Sequence, residues 1–296
     1  MTVQAVPIPS YDDVRVVVPA PDAGPGNWAG AASAVLVDGV FWLTWRVRRP
    51  LTDGRGVAVQ VARSLDGETF EVVAEVSREE FGAESFERPV LVPVPGVGWR
   101  LYLSCATPGS KHWWVDSVTA ATVEGLPTGE RAAVLAGDDR VAVKDPVIEP
   151  AAGGGWDMWL CCHPLEDVGH EDRMTTRHLT SPDGLAWTDH GEVLAGRPGA
   201  WDARGARVTA VVAHDPLTVL YDGRADAASN WFETTGLARW DGARLVPDDG
   251  VGTIVSPHSD GAFRYAAAVP LPDGRTRFYV EAARPDGAHD LVTLVR

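Results

Sequence analysis

Short apolar runs of β type recur along the chain at an almost constant interval. The clearest set occupies residues 41–45, 99–104, 156–161, 217–221 and 277–281, whose ends lie 59, 57, 60 and 60 residues apart. Each follows a second apolar run and a turn: 34–37 before Asp38-Gly39, 90–94 before Gly96, 147–148 before 153–155, 208–212 before 214–216, and 266–269 before Asp273-Gly274. Apolar residues at helical spacing are nearly absent, and proline and glycine punctuate the whole chain.

A second landmark keeps the same period. Asp66-Gly67, Glu124-Gly125, Asp183-Gly184 and Asp241-Gly242 follow one another at 58, 59 and 58 residues. Two of them have a fuller form, Arg63-Ser64-Leu65-Asp66-Gly67-Glu68-Thr69-Phe70 and Thr180-Ser181-Pro182-Asp183-Gly184-Leu185-Ala186-Trp187. Glycine accepts positive φ there, and the aromatic three residues on is placed to pack against the preceding repeat. Four strands per period without helices predict an all-β, five-bladed β-propeller with four-stranded antiparallel blades. A fifth such turn would fall beyond Arg296, so the last blade lacks its outermost strand. The unassigned apolar run 14–18 is expected to supply it and close the ring.

Composition adjusts this picture little. At 296 residues and 45% hydrophobic, with no polar linker or charge block, the chain reads as one domain, 1–296. No apolar run reaches the roughly 18–20 residues that span a bilayer. Residues 1–10 lack the basic and apolar segments of a secretory leader. Cys105, Cys161 and Cys162 are expected as buried thiols, which suits a cytoplasmic location. The net charge of −15, without any basic stripe, argues against nucleic acid or an anionic membrane as partner. Twelve tryptophans, whose faces stack on the C–H surfaces of sugar rings, suggest a small-molecule sugar partner.

In a propeller the residues just before each innermost strand converge on one mouth of the central channel. Those segments are 26–31, 85–89, 143–146, 200–205 and 261–265. They contribute Trp28, then Glu87 and Arg88, then Lys144 and Asp145, then Trp201, Asp202 and Arg204, and finally Arg264 and Tyr265. The plain reading is a ring of ion pairs that satisfies itself; the sharper one is carboxylates tuned by arginines for acid–base work. Arg264 has the fork geometry to hold a carboxylate or a hydroxyl pair. Asp222, within Tyr221-Asp222-Gly223-Arg224, and Glu281 are further candidates for contact with substrate. Trp113-Trp114 reads equally as a sugar platform or as core.

Lys144-Asp145-Pro146, the Ser181–Trp187 turn motif and Tyr221-Asp222-Gly223-Arg224 give the repeats their resemblance to the five-bladed glycoside hydrolases related to arabinanases, β-xylosidases and invertases. The resemblance implies three acidic residues around the scissile sugar, with Asp145 as the carboxylate that orients substrate and tunes its neighbours. The sequence departs from that pattern at the opening of blade one, Gly26-Asn27-Trp28-Ala29-Gly30-Ala31, which has no carboxylate. Glu87 and Asp202 are then the remaining catalytic candidates, with Trp28, Arg88, Arg204, Asp222, Arg264, Tyr265 and Glu281 around the substrate. No cofactor is expected, and the eight histidines show no metal-ligand spacing. The expected function is cleavage of a small glycoside or terminal sugar by carboxylates at the channel. The alternatives are a non-hydrolytic descendant, whether a sugar-binding protein or an enzyme of another reaction, and a protein-interaction platform.

Overall fold

The computed structural model of the chain describes residues 6–296; residues 1–5, half of the N-terminal stretch read for a leader, lie outside the described residues. After β1 (Arg15–Val18) come β2 (Trp28–Val37), β3 (Val40–Arg48), β4 (Gly56–Ser64) and β5 (Glu71–Ser77). The next group is β6 (Val90–Val94), β7 (Gly98–Ala106), β8 (Trp113–Ala120) and β9 (Glu130–Leu135). It is followed by β10 (Val141–Pro150), β11 (Trp156–Pro164), β12 (Thr175–Ser181) and β13 (Thr188–Leu194). Then come β14 (Gly205–His214), β15 (Leu217–Arg224), β16 (Thr234–Trp240) and β17 (Leu245–Pro247). The chain ends with β18 (Phe263–Pro270), β19 (Thr276–Ala283) and β20 (His289–Val295).

The middle three groups are each a four-stranded sheet in chain order. The remaining strands form one eight-stranded sheet, β18-β19-β20-β2-β3-β4-β5, with β1 beside β20. Its two halves meet through a single parallel pairing, Trp28 opposite His289. β1 runs antiparallel to β20, with Arg15 opposite Thr293. Among the described residues the only helical segments are three short 3-10 turns, and no helix is long and apolar enough to cross a membrane.

Neighbouring units bury their apolar faces against one another. Val59, Val61 and Val76 pack with Leu101, Leu103 and Val118, and Val90 and Val115 with Met158, Leu160 and Leu179. Cys105 and Cys162 sit in these two layers, and all three cysteines are buried and free.

The periodic turns lock the layers in register. Asp66 accepts the backbone N–H groups of Glu68 and Thr69 at 2.8 Å, and Asp183 those of Leu185 and Ala186 at 2.8 and 2.9 Å. Asp241 does the same for Ala243 and Arg244. A short side-chain carboxylate makes this local bond; a glutamate is one methylene too long. Accordingly Glu124-Gly125 departs from the expected turn and lies in a 3-10 segment, Val123–Thr128. The two fuller motifs also dock on the preceding unit: the hydroxyls of Tyr279 and Tyr102 donate to the carbonyls of Gly67 and Gly184 at 2.9 and 2.8 Å. A Cβ on Gly184, already at φ +75°, would lie 2.6 Å from the Tyr102 hydroxyl, so this position admits glycine alone. Phe70 meets Tyr279 edge-on at 5.8 Å, the inter-repeat contact expected of that aromatic.

The inner strands carry the feature that builds the site. β2, β10, β14 and β18 each slip register against the next strand, between Gly30 and Ser33, Lys144 and Val147, Val208 and Ala210, and Arg264 and Ala267. At three of these bulges a residue with a side chain adopts positive φ: Ala31 (52°), Asp145 (51°) and Tyr265 (52°). Such a conformation costs roughly 1–3 kcal/mol and persists only where surrounding bonds hold it. Here the N–H of each is taken by a side chain from the preceding unit. Ala31 donates to Glu281, Asp145 to the Ser104 hydroxyl and Tyr265 to Asp222, all at 2.9 Å. The bulges turn the side chains of Asp145 and Tyr265 inward at one end of the inner strands.

Candidate active site

At that end lies a cavity of about 350 Å3. Of the residues expected from sequence, Trp28, Glu87, Arg204, Arg264 and Tyr265 line it. The side chains of Asp145, Asp222 and Glu281 are fully buried behind this lining. Tyr265 is the meeting point: its hydroxyl lies 3.1 Å from Asp145 Oδ2, 3.3 Å from Glu87 Oε2 and 2.9 Å from Arg207 Nη1. The hydroxyl accepts from the guanidinium and donates to a carboxylate, so Glu87 and Asp145 are separated by one bridging hydroxyl.

Three buried arginines here each pair with two carboxylates. Arg207 holds Asp145 at 3.0 Å and Asp222 at 2.7 Å. Arg46 bridges Glu87 and Glu281, and Arg264 bridges Glu281 and Glu233. Glu281 also accepts from His289 Nδ1 at 2.8 Å and from the Ala31 N–H. A Cβ on Gly30 would lie 2.0 Å from Glu281 Oε2. Glycine at residue 30 thus leaves the space that the Glu281 carboxylate fills from β19.

Three expected residues lie elsewhere, and the first, Trp201, packs on Tyr221 with ring centres 5.3 Å apart. Asp202 is buried with Arg197 (2.9 Å) and the Tyr221 hydroxyl (2.9 Å), in the turn ahead of β14, and is not among the cavity-lining residues. The inner-strand residue that faces the cavity from this unit is Arg207. Arg88 points along the channel toward an apolar cavity at the other end of the inner strands, where its Nη2 donates to the Ala266 carbonyl at 3.2 Å.

Sequence reasoning also missed Arg46, Arg55 and Glu233, all of which line the cavity, while Arg224, the last residue of the Tyr221-Asp222-Gly223-Arg224 motif, lines it too. Arg46, Ser104, Asp222 and Glu281 occupy one register near the ends of the middle strands β3, β7, β15 and β19, where each pairs with the start of an inner strand. A polar residue repeated at the end of an apolar run was the signal available for them. Of the paired tryptophans, Trp113 lines the cavity and Trp114 packs on the core.

The electrostatics favour ionised carboxylates. Burial pushes the Glu87 carboxyl up, but Arg46, Lys144 and Arg55 outweigh it and hold the group below its usual range. Burial likewise pushes the Asp145 carboxyl up, but Lys144 and Arg207 outweigh it and hold the group below its usual range. Glu233 is lowered against its burial by Arg264 and Arg207, and Glu281 by Arg264 and Arg46. Asp222 is the exception, raised by burial despite Arg207. Burial also raises the Tyr265 phenol, which stays protonated, and lowers His163 to about 3, with Lys144 and Arg224 adding to the effect, so this imidazole is neutral.

A carboxylate whose pKa is lower in the folded state stabilises the fold above its unfolded value, about 4, and loses that contribution as pH falls toward the folded value. Four such groups outnumber Asp222, whose contribution has the opposite sign. The denaturant midpoint is therefore expected to fall steadily as pH drops from about 5 to about 2. A midpoint that stays level over that interval would contradict the ionised network.

No protein-family model matches the sequence, and no curated protein matches it. Solved structures do. The chain is similar to a thermostable family-43 glycoside hydrolase (TM-score 0.69, 13% identity, 94% of this chain and 91% of that one). It is also similar to the β-1,2-mannobiose phosphorylase of Listeria innocua (0.65, 15%, 98% and 92%). A glycosyl hydrolase from Bacteroides ovatus aligns over 96% and 92% (0.60, 12% identity). The fold is accordingly that of the β-propeller glycoside hydrolases and phosphorylases.

Proposed function

We propose that the chain is a single-domain, five-bladed propeller, its ring closed by β1 on β20, that acts as a glycoside-hydrolase-like enzyme on a small glycoside or terminal sugar. The observation that carries this reading is the convergence of Glu87, Tyr265 and Asp145, from three units, at the floor of one cavity. Of these three residues Glu87 is the carboxylate that lines the cavity and, being ionised, serves as base or nucleophile at the anomeric carbon. Asp145 and Arg207 orient the Tyr265 hydroxyl against it. The three unpaired thiols fit the reducing cytoplasm.

A second reading, binding without hydrolysis, has one specific observation in its favour. All four cavity-lining carboxylates, Glu87, Glu171, Asp172 and Glu233, are held below their usual range, so none stands ready as a proton donor. Aryl glycosides separate the two, because an acidic phenol leaves without a donated proton. Turnover of a nitrophenyl glycoside is expected for at least one member of a panel of common sugars. Calorimetric binding of the parent sugars with no turnover of any member would favour the second reading.

A further inference from the structure

The cavity is cationic in an acidic protein. Against a net charge of −15 for the chain, its lining holds eight lysines and arginines and four carboxylates. Most of those cations are occupied: Arg46, Arg207 and Arg264 by two carboxylates each, Arg224 by Glu233, Arg204 by Asp172 and Lys111 by Glu171. Arg55 and Lys144 differ. Their nearest carboxylate oxygens, on Glu87 and Asp145, are 3.7 and 3.5 Å away, and among the described residues neither side chain makes a hydrogen bond. Arg55 Nε is buried and without a partner.

Both cations are anchored over the same indole. The Arg55 guanidinium lies 5.4 Å and Lys144 Nζ 4.7 Å from the ring centre of Trp113. Cation–π attraction fixes their positions while leaving their N–H donors unused. Two converging cations with free donors, held beside Glu87 and partly shielded from water, form a seat for an oxyanion. We infer that the ligand carries an anionic group, a carboxylate or a phosphate, which docks on Arg55 and Lys144 beside Trp113. This rests on the reading of the cavity as a sugar site and narrows it to acidic sugars or to a sugar accompanied by a phosphate.

The seat and the catalytic carboxylate share these cations. An anion drawn onto Arg55 and Lys144 weakens their hold on the Glu87 proton equilibrium, so Glu87 gains proton affinity as the ligand binds. Binding is then linked to proton uptake.

The test is calorimetry of the full chain with four probes: glucuronate, glucose, inorganic phosphate and glucose 1-phosphate, at low and at high salt. At least one anionic probe is expected to bind tenfold or more tighter than glucose, to weaken with salt, and to lose most of that advantage in Lys144→Gln and Arg55→Gln. Binding of phosphate alone assigns the seat to a free anion; preference for glucuronate or glucose 1-phosphate assigns it to a charged sugar. Absence of binding by every anionic probe, or binding unaltered in both variants, overturns the anion seat. Turnover of a neutral aryl glycoside alongside either result would leave the glycosidase reading standing, so the two failures are distinguishable. Circular dichroism confirms that the variants fold; both replaced groups contact the cavity and neither makes a structural hydrogen bond.

Discussion

Glu281→Ala is expected to lower the unfolding free energy by about 3–5 kcal/mol, the usual cost of stripping one partner from a buried ion pair. The carboxylate is fully buried and accepts from Arg46, Arg264, His289 and the Ala31 N–H. Its removal leaves two guanidinium groups facing each other without a counter-charge between them. It also frees the amide that holds Ala31 at positive φ, and so loosens the junction between the first inner strand and the last unit. Glu281→Gln, which keeps an acceptor oxygen and the volume, is expected to cost clearly less. Urea denaturation followed by tryptophan fluorescence measures both. A Glu281→Ala protein within roughly 1 kcal/mol of the parent would mean that water or side-chain movement replaces the network.

The largest functional effect is expected at Glu87. Glu87→Gln preserves the shape of the side chain but removes the charge that a base or nucleophile needs, and should cut kcat by about 10²–10⁴ on any glycoside the protein turns over. Asp145→Asn should also reduce turnover, through the Tyr265 hydroxyl and Arg207 rather than by contact with the sugar. Far-ultraviolet circular dichroism and the urea midpoint separate lost chemistry from lost folding. Full activity in Glu87→Gln would remove this residue from the reaction and leave Glu233 as the cavity carboxylate to examine. Full activity in Asp145→Asn would show that the hydroxyl bridge is structural.

How much of this was legible in the sequence follows from the range of the interactions involved. The repeat was readable because its signals are local: an aspartate bonding to amides two and three residues on, a glycine at positive φ, and apolar runs of strand length. Where local chemistry changed, at Glu124-Gly125, the turn changed with it. Glu87, Asp145, Arg264 and Tyr265 were accessible because they sit directly at the start of inner strands. Asp202 lies just ahead of β14, whereas the residue that faces the cavity from this unit, Arg207, is the third of that strand, and nothing in the composition marks it. Glu233 was invisible for a different reason. It stands in the connection ahead of β16, and only the folded chain brings it onto Arg224 and Arg264.

The close approach of Glu281 to Gly30 has a consequence for how the two positions can change. A side chain on residue 30 and a glutamate at residue 281 exclude one another, because both would occupy the same few cubic ångströms. Residue 281 can keep its glutamate only while residue 30 stays without a side chain. Changing one position alone leaves this corner either overcrowded or short of the carboxylate that Arg46 and Arg264 share. Either single change is expected to penalise the fold, so the two positions are coupled and the stability effects of changing them should not add. Glycine at residue 30 is thus a working part of the ion-pair network, although it has no side chain of its own to contribute.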